Sequence, residues 1–121
     1  LVSAGGRRLL LPGDIEQNGE RELLGHLPRV DIVVVPHHGS RSSSSEPFVA
    51  ATRPDWALVS AGYRNRWGFP RREIVDRWEA AGAAVLTTAE GGALEFRLGA
   101  ADLDVRPQPW RQQHRRFWLA E

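Results

Sequence analysis

The sequence predicts an α/β layered fold, and three observations carry that expectation. Short apolar runs alternate with segments of helical periodicity along most of the chain. Polar residues suited to chemistry sit just past those apolar runs, where α/β sheets bind ligands. The 121 residues, 41% hydrophobic and 26% charged, suffice for one core but not for two ordinary domains.

Each element follows in order. Residues 8–12 read as a short buried strand, Leu9-Leu10-Leu11, stopped by Pro12-Gly13. Residues 16–27 read as a helix with Leu23, Leu24 and Leu27 on one face. Residues 31–35 have the four-apolar pattern of a strand buried on both faces, ending at Pro36. Ser42 to Ser45 read as a mobile polar loop. Pro47 suits the first turn of a helix capped by Ser45 and continuing through Thr52. Residues 56–60 are a third strand, and residues 61–69 a loop with two glycines. Residues 71–81 form the best-patterned helix, with Ile74, Val75, Trp78 and Ala81 at helical spacing and Gly82 closing it. Residues 84–88 are a fourth strand. Gly91-Gly92 turns into a strand over 93–98, and residues 103–105 add another. The body is expected over residues 1–106, with a basic-aromatic tail at 107–121. In that tail Trp110, His114 and Phe117 share one helical face, which suits docking on the body or gripping a nucleic-acid strand.

Composition excludes several function classes. The chain has no Cys, which removes disulfides, zinc fingers, iron–sulfur ligation and thiol catalysis. No apolar run reaches membrane-spanning length, and no signal peptide opens the chain. A net charge of +1 gives no bulk field for nucleic acid, so a charged partner must meet a local patch. All 16 basic residues are Arg, which fits a GC-rich coding sequence more simply than selection for phosphate recognition. The chain opens on Leu1 and contains no Met, so it is expected to be a processed product or an internal piece of a longer protein.

Three strand ends deliver chemistry to one rim: Asp14 after the first, His37 and His38 after the second, Ser60, Asn65 and Arg66 after the third. Asp14 can act as a metal ligand or cap the following helix. His37 and His38 can ligate metal or bond backbone as loop residues. A carboxylate with imidazoles suits zinc, manganese or iron, yet two or three ligands do not close a hydrolytic site. Gly39-Ser40 and the serine run offer donors to a phosphate. Asn65 and Arg66 can hold an anion, and Asn65 can equally serve a turn near Gly68. Trp67 and Phe69 are either buried flanks or a stacking surface for unpaired bases.

Leu10-Leu11-Pro12-Gly13-Asp14-Ile15-Glu16 resembles one motif of a known family. So do Asp31-Ile32-Val33-Val34-Val35-Pro36-His37-His38-Gly39-Ser40-Arg41-Ser42-Ser43-Ser44 and Ser60-Ala61-Gly62-Tyr63-Arg64-Asn65-Arg66-Trp67-Gly68-Phe69-Pro70. Together they resemble successive motifs of the metallo-β-lactamase-like domain of ComEC, the membrane channel for DNA uptake in competent bacteria. The resemblance runs from about Leu9 to Leu98. It implies the C-terminal half of a metallo-β-lactamase-type αββα sandwich. It also implies Asp14, His37 and His38 as metal ligands, with His38 favoured over His37, and two divalent ions, zinc or manganese, in the complete domain. Ser40, Asn65 and Arg66 are then substrate-binding residues, and Asp14, His38 and Arg66 the catalytic set.

The implied reaction is hydrolysis of DNA phosphodiesters in the strand that is not imported. The implied partners are DNA, the rest of the domain and the membrane channel, on the extracytoplasmic side of the inner membrane. A metal pair about 3.5–4 Å apart would supply hydroxide near neutral pH and stabilise charge on phosphorus, and Arg66 would offset the added charge of the transition state. Two departures stand out. The family's first metal motif, His-x-Asp-x-Asp-His, is absent; His26 and His114 stand in other contexts. Phe69 occupies the position where the family usually has His. The fragment alone is therefore expected to be inactive and to self-associate through uncovered sheet. The alternative is a catalytically degenerate module that guides DNA at the channel, and a second is a hydrolase of small esters.

Overall fold

The structure is a computed structural model and describes residues 1–99 and 108–114. It contains a five-stranded sheet formed by β1 (Val2–Ala4), β2 (Arg7–Leu10), β3 (Ile32–Val34), β4 (Trp56–Val59) and β5 (Ala84–Thr87), in the order β1-β2-β3-β4-β5. β1 runs antiparallel to β2, and the remaining pairs are parallel. The α/β expectation therefore holds as a mixed sheet with helices. The three parallel crossovers carry α1 (Gln17–Leu23), α2 (Glu46–Thr52) and α3 (Arg72–Ala80).

Register explains the packing. Leu10 pairs with Val33, Val33 with Ala57 and Ala57 with Val85, so these side chains share one sheet face. That face packs on Leu24 at the end of α1, Phe48 and Val49 of α2, and Ile74 and Trp78 of α3. Trp78 is fully buried and meets Phe48 edge to face, 6.3 Å between centroids. All three helices thus cover the same side, as right-handed crossovers between successive neighbouring strands require. The opposite face carries Leu9, Ile32, Val34, Trp56, Leu58 and Leu86, most of them half-buried. Phe96 lies across Trp56 there.

Several elements differ from expectation for identifiable reasons. β1 exists because Gly5 and Gly6, both with positive φ, close a two-residue hairpin onto β2. α1 is shorter than residues 16–27 because the chain tightens to three-residue bonds, Leu24 N–H to Arg21 and His26 N–H to Leu23. β5 stops at Thr87, whose hydroxyl accepts from Ala89 N–H and caps a one-turn helix α4 (Thr88–Gly91). The strand expected over 93–98 is the two-residue β6 (Leu94–Glu95). It pairs with β7 (Gln108–Pro109), where Pro109 offers no N–H to extend the ladder. The strand expected over 103–105 lies outside the described residues, as does Phe117. Of the expected tail helix the described part is one turn, α5 (Trp110–Gln113), and His114 just past it stacks against an exposed Trp110 at 3.6 Å.

The serine run is not a mobile loop. Ser43 and Ser44 are fully buried. The buried Glu20 carboxylate accepts from the backbone N–H groups of Ser44 and Ser45. Trp78 Nε1 donates to Ser44 Oγ at 3.1 Å, and Arg77 donates to the Ser44 carbonyl. Ser45 stands at the N-cap position of α2, but its side chain makes no cap bond; Glu20, from α1, instead accepts from the N–H groups of Ser44 and of Ser45 itself, just ahead of the helix.

Candidate active site at the strand ends

The chain leaves β3 at Val35 and turns through Pro36–Gly39 with three successive residues in the left-handed region. These are His37 (φ 49°), His38 (φ 56°) and Gly39 (φ 80°). For non-glycine residues this conformation costs roughly 1–2 kcal/mol each, so the surroundings must hold it. His37 N–H donates to the Gly13 carbonyl at 3.1 Å, tying this turn to the Pro-Gly-Asp turn after β2. Arg71 N–H donates to the Gly39 carbonyl at 3.0 Å, and Ser43 Oγ donates to the Pro36 carbonyl at 2.8 Å. At Gly39 a Cβ would lie 2.6 Å from Pro70 Cβ. The next loop thus packs directly on the turn, and only glycine fits between them.

The strain aims two imidazoles differently. His38 Nδ1 lies 2.7 Å from the Ser60 carbonyl, an acceptor only, so Nδ1 carries the proton. His38 Nε2 then faces the Asp14 carboxylate, 3.6 Å away. Asp14 does not cap α1, whose N-cap residue is Glu16. His37 Nδ1 lies 3.3 Å from Glu16 Oε1 and 3.4 Å from Ser42 Oγ, and Ser42 in turn donates to Glu16. The structure therefore brings Asp14 and His38 together and gives His37 a separate carboxylate, Glu16, which the sequence reading had not singled out. Its signal was its place two residues after Asp14 in the same motif.

A cleft of about 490 Å³ opens beside the turn, walled by His37, His38, Ser60, Asn65, Trp67 and Phe69. Asn65 closes its own loop. Its amide nitrogen donates to the Gly62 and Phe69 carbonyls, and its amide oxygen accepts from Phe69 N–H. Those bonds engage the groups that an anion-binding role would use. Arg66 stays exposed, its guanidinium 4.5 Å over the Trp67 ring. Ser40 Oγ sits 3.2 Å from Ser42 Oγ within the turn. Phe69 lies in the cleft with its ring 6.3 Å from that of His37.

Among the described residues no group of three or more His, Asp or Glu side chains converges as a ligand set. The donor chemistry of the Asp14 and His38 pair nonetheless suits a divalent cation. It offers one carboxylate and one imidazole whose far nitrogen is held by a backbone carbonyl, the arrangement that orients metal-binding histidines. Below the rim, Asp31 anchors the sheet bottom. Burial pushes its carboxyl up. The Arg8 backbone N–H, the Arg7 side chain that bonds it at 2.9 Å, and the Arg29 charge more than offset this and hold it below its ordinary value.

No protein-family model matches the chain. It is 40% identical over 101 residues to Competence protein ComA of Neisseria gonorrhoeae, covering 81% of the chain and 15% of that protein. It is 33% identical to ComE operon protein 3 of Bacillus subtilis (79% of the chain, 13% of the relative) and 33% identical to Recombination protein 2 of Haemophilus influenzae (91% and 15%). The chain thus spans 13–15% of the length of these relatives. No helix among the described residues is long and apolar enough to cross a membrane. The chain is a homologue, at 33–40% identity, of a segment of proteins named for competence and recombination, the ComEC family.

Proposed function

We propose that the chain is a segment of a DNA-uptake protein of the inner membrane, and that it carries half of a metal-dependent site for hydrolysing DNA phosphodiesters. The observation that carries this reading is the pairing of Asp14 with a His38 whose Nδ1 proton is fixed on Ser60. Divalent ions bound there, zinc or manganese, would supply an activated water and positive charge for the phosphate. Asp14 and His38 would hold one such ion; the remaining ligands would come from the rest of the domain. Arg66, exposed on the adjoining loop, would bind the phosphate backbone. The apolar sheet face opposite the helices, with Val34, Leu58 and Leu86, is where a second layer of the αββα sandwich would pack. Without that layer the isolated chain is expected to self-associate.

The test is cleavage of single- and double-stranded DNA by the full-length protein with added Mn²⁺ or Zn²⁺, with Asp14→Ala as the control. Metal-dependent cutting abolished by Asp14→Ala supports the nuclease. One observation favours a second reading, a DNA-guiding module without chemistry: Phe69 stands in the cleft, and it can neither bind metal nor transfer a proton. Absence of cutting while DNA and metal binding persist would support that module.

A further inference from the structure

We propose that the loop over residues 61–72 is a stacking and charge platform for single-stranded nucleic acid, with Trp67 taking an unpaired base beside the His37/His38 turn. This deepens the reading above and rests on it only for the strand being DNA.

Trp67 is 56% exposed, unusual for the largest apolar side chain, and it forms one wall of the cleft that contains both histidines. Arg66 stacks over the indole at 4.5 Å, and Trp67 as a whole still stays more than half exposed. The same pairing repeats nearby. Tyr63 is half exposed, with Arg64 5.2 Å and Arg111 5.6 Å from its ring centre. Between residues 61 and 72 the chain places four Arg and no Asp or Glu; Arg72 pairs with Asp76 at 2.9 Å, while Arg64, Arg66 and Arg71 lie against aromatic rings. With a net charge of only +1 over the whole chain, this run is a local basic patch of the kind a charged partner must meet. Aromatic faces interleaved with guanidinium groups match alternating bases and phosphates.

The loop is also held in shape before any ligand arrives. Asn65 ties Gly62 to Phe69. Thr88 Oγ1 accepts from Ala61 N–H at 2.9 Å and donates to the Ala61 carbonyl at 3.0 Å. A platform fixed this way loses little entropy on binding. The cleft volume of about 490 Å³ suits one base with its sugar. In a duplex, each base face is covered by its neighbours, so only an unpaired or extruded base can stack on Trp67. The ligand class is therefore single-stranded, not duplex.

The experiment is fluorescence anisotropy of three labelled probes: a 12-nucleotide oligothymidylate, the same backbone without bases, and a 12-base-pair duplex. Each is titrated with the full-length protein at one fixed salt concentration, with a chelator present and no metal. The expected result is that oligothymidylate binds more tightly than the abasic or duplex probes. Trp67→Ala then weakens oligothymidylate binding by about 5- to 150-fold, leaves abasic binding unchanged, and Trp67→Phe restores most of the loss. Trp67 is exposed, so an unaltered thermal melt for Trp67→Ala checks that the fold is intact. Equal binding of the abasic or duplex probe, an unaffected Trp67→Ala, or no binding of any probe would overturn the proposal. Because no metal is present, this outcome is independent of the nuclease. Cleavage lost in Asp14→Ala with normal binding by Trp67→Ala would sink the platform alone, and base-dependent binding without cleavage would sink the nuclease alone.

Discussion

His38 donates its Nδ1 proton to the carbonyl oxygen of Ser60 across 2.7 Å, joining the turn after β3 to the residue that follows β4. A backbone carbonyl cannot return a proton, so the imidazole is fixed in one orientation with Nε2 toward Asp14. His37, its neighbour, has no such tether; its Nδ1 meets the side chains of Glu16 and Ser42. The two histidines are adjacent in sequence yet unequal as ligands.

That inequality gives a direct test. In the full-length protein His38→Ala is expected to weaken Mn²⁺ or Zn²⁺ binding by at least about 100-fold, and His37→Ala by less. Titration calorimetry on both variants measures it. Equal losses would mean that both rings ligate.

Gly39→Ala should destabilise the fold by about 1–3 kcal/mol. The new Cβ meets Pro70 Cβ at 2.6 Å and its Cα at 3.0 Å, in a φ of +80° that L side chains seldom adopt. Urea denaturation gives the value. A neutral result would show that the 61–72 loop moves freely away from the turn.

Glu20→Ala leaves the buried N–H of Ser44 and the partly buried N–H of Ser45 without their acceptor. A loss of about 2–3 kcal/mol is expected, read from the same denaturation experiment. Exposed Glu22, one turn face away, serves as the control and should change stability little when replaced by Ala.

The Asp31 carboxyl is held below its ordinary value of 3.8 in the folded chain. Its stabilising contribution is therefore complete above that value and is lost as pH falls through the lower folded value. Thermal melts from neutral pH down through about pH 3 should show this acid-dependent loss, and Asp31→Asn should flatten that part of the curve while lowering stability at neutral pH.

What could be read in the sequence was what local pattern encodes. Apolar runs gave β2 to β5, helical spacing gave α3, and position after a strand gave Asp14 and His38. What could not be read depends on distant partners. Glu20 and Ser44 are 24 residues apart, and nothing near the serine run signals that a helix behind it will bury it. The left-handed conformation of His37 and His38 was equally hidden, because their own preference opposes it and their partners, the Gly13 carbonyl for His37 N–H and the Ser60 carbonyl for His38 Nδ1, lie on other loops. Asn65 left two roles open in the sequence; its bonds to Gly62 and Phe69 show the loop role.

The strand order repeats the order of the chain: each new strand from β2 to β5 is laid beside the one before it. The consequence is kinetic. Each parallel pairing closes an excursion that carries one α-helix, and among the described residues no strand of this sheet pairs with one distant in chain order. The sheet can therefore grow in one direction from β2, with the Asp31–Arg8 contact and the first parallel pair as its earliest long-range step, and the His38–Ser60 geometry is complete once β4 has docked.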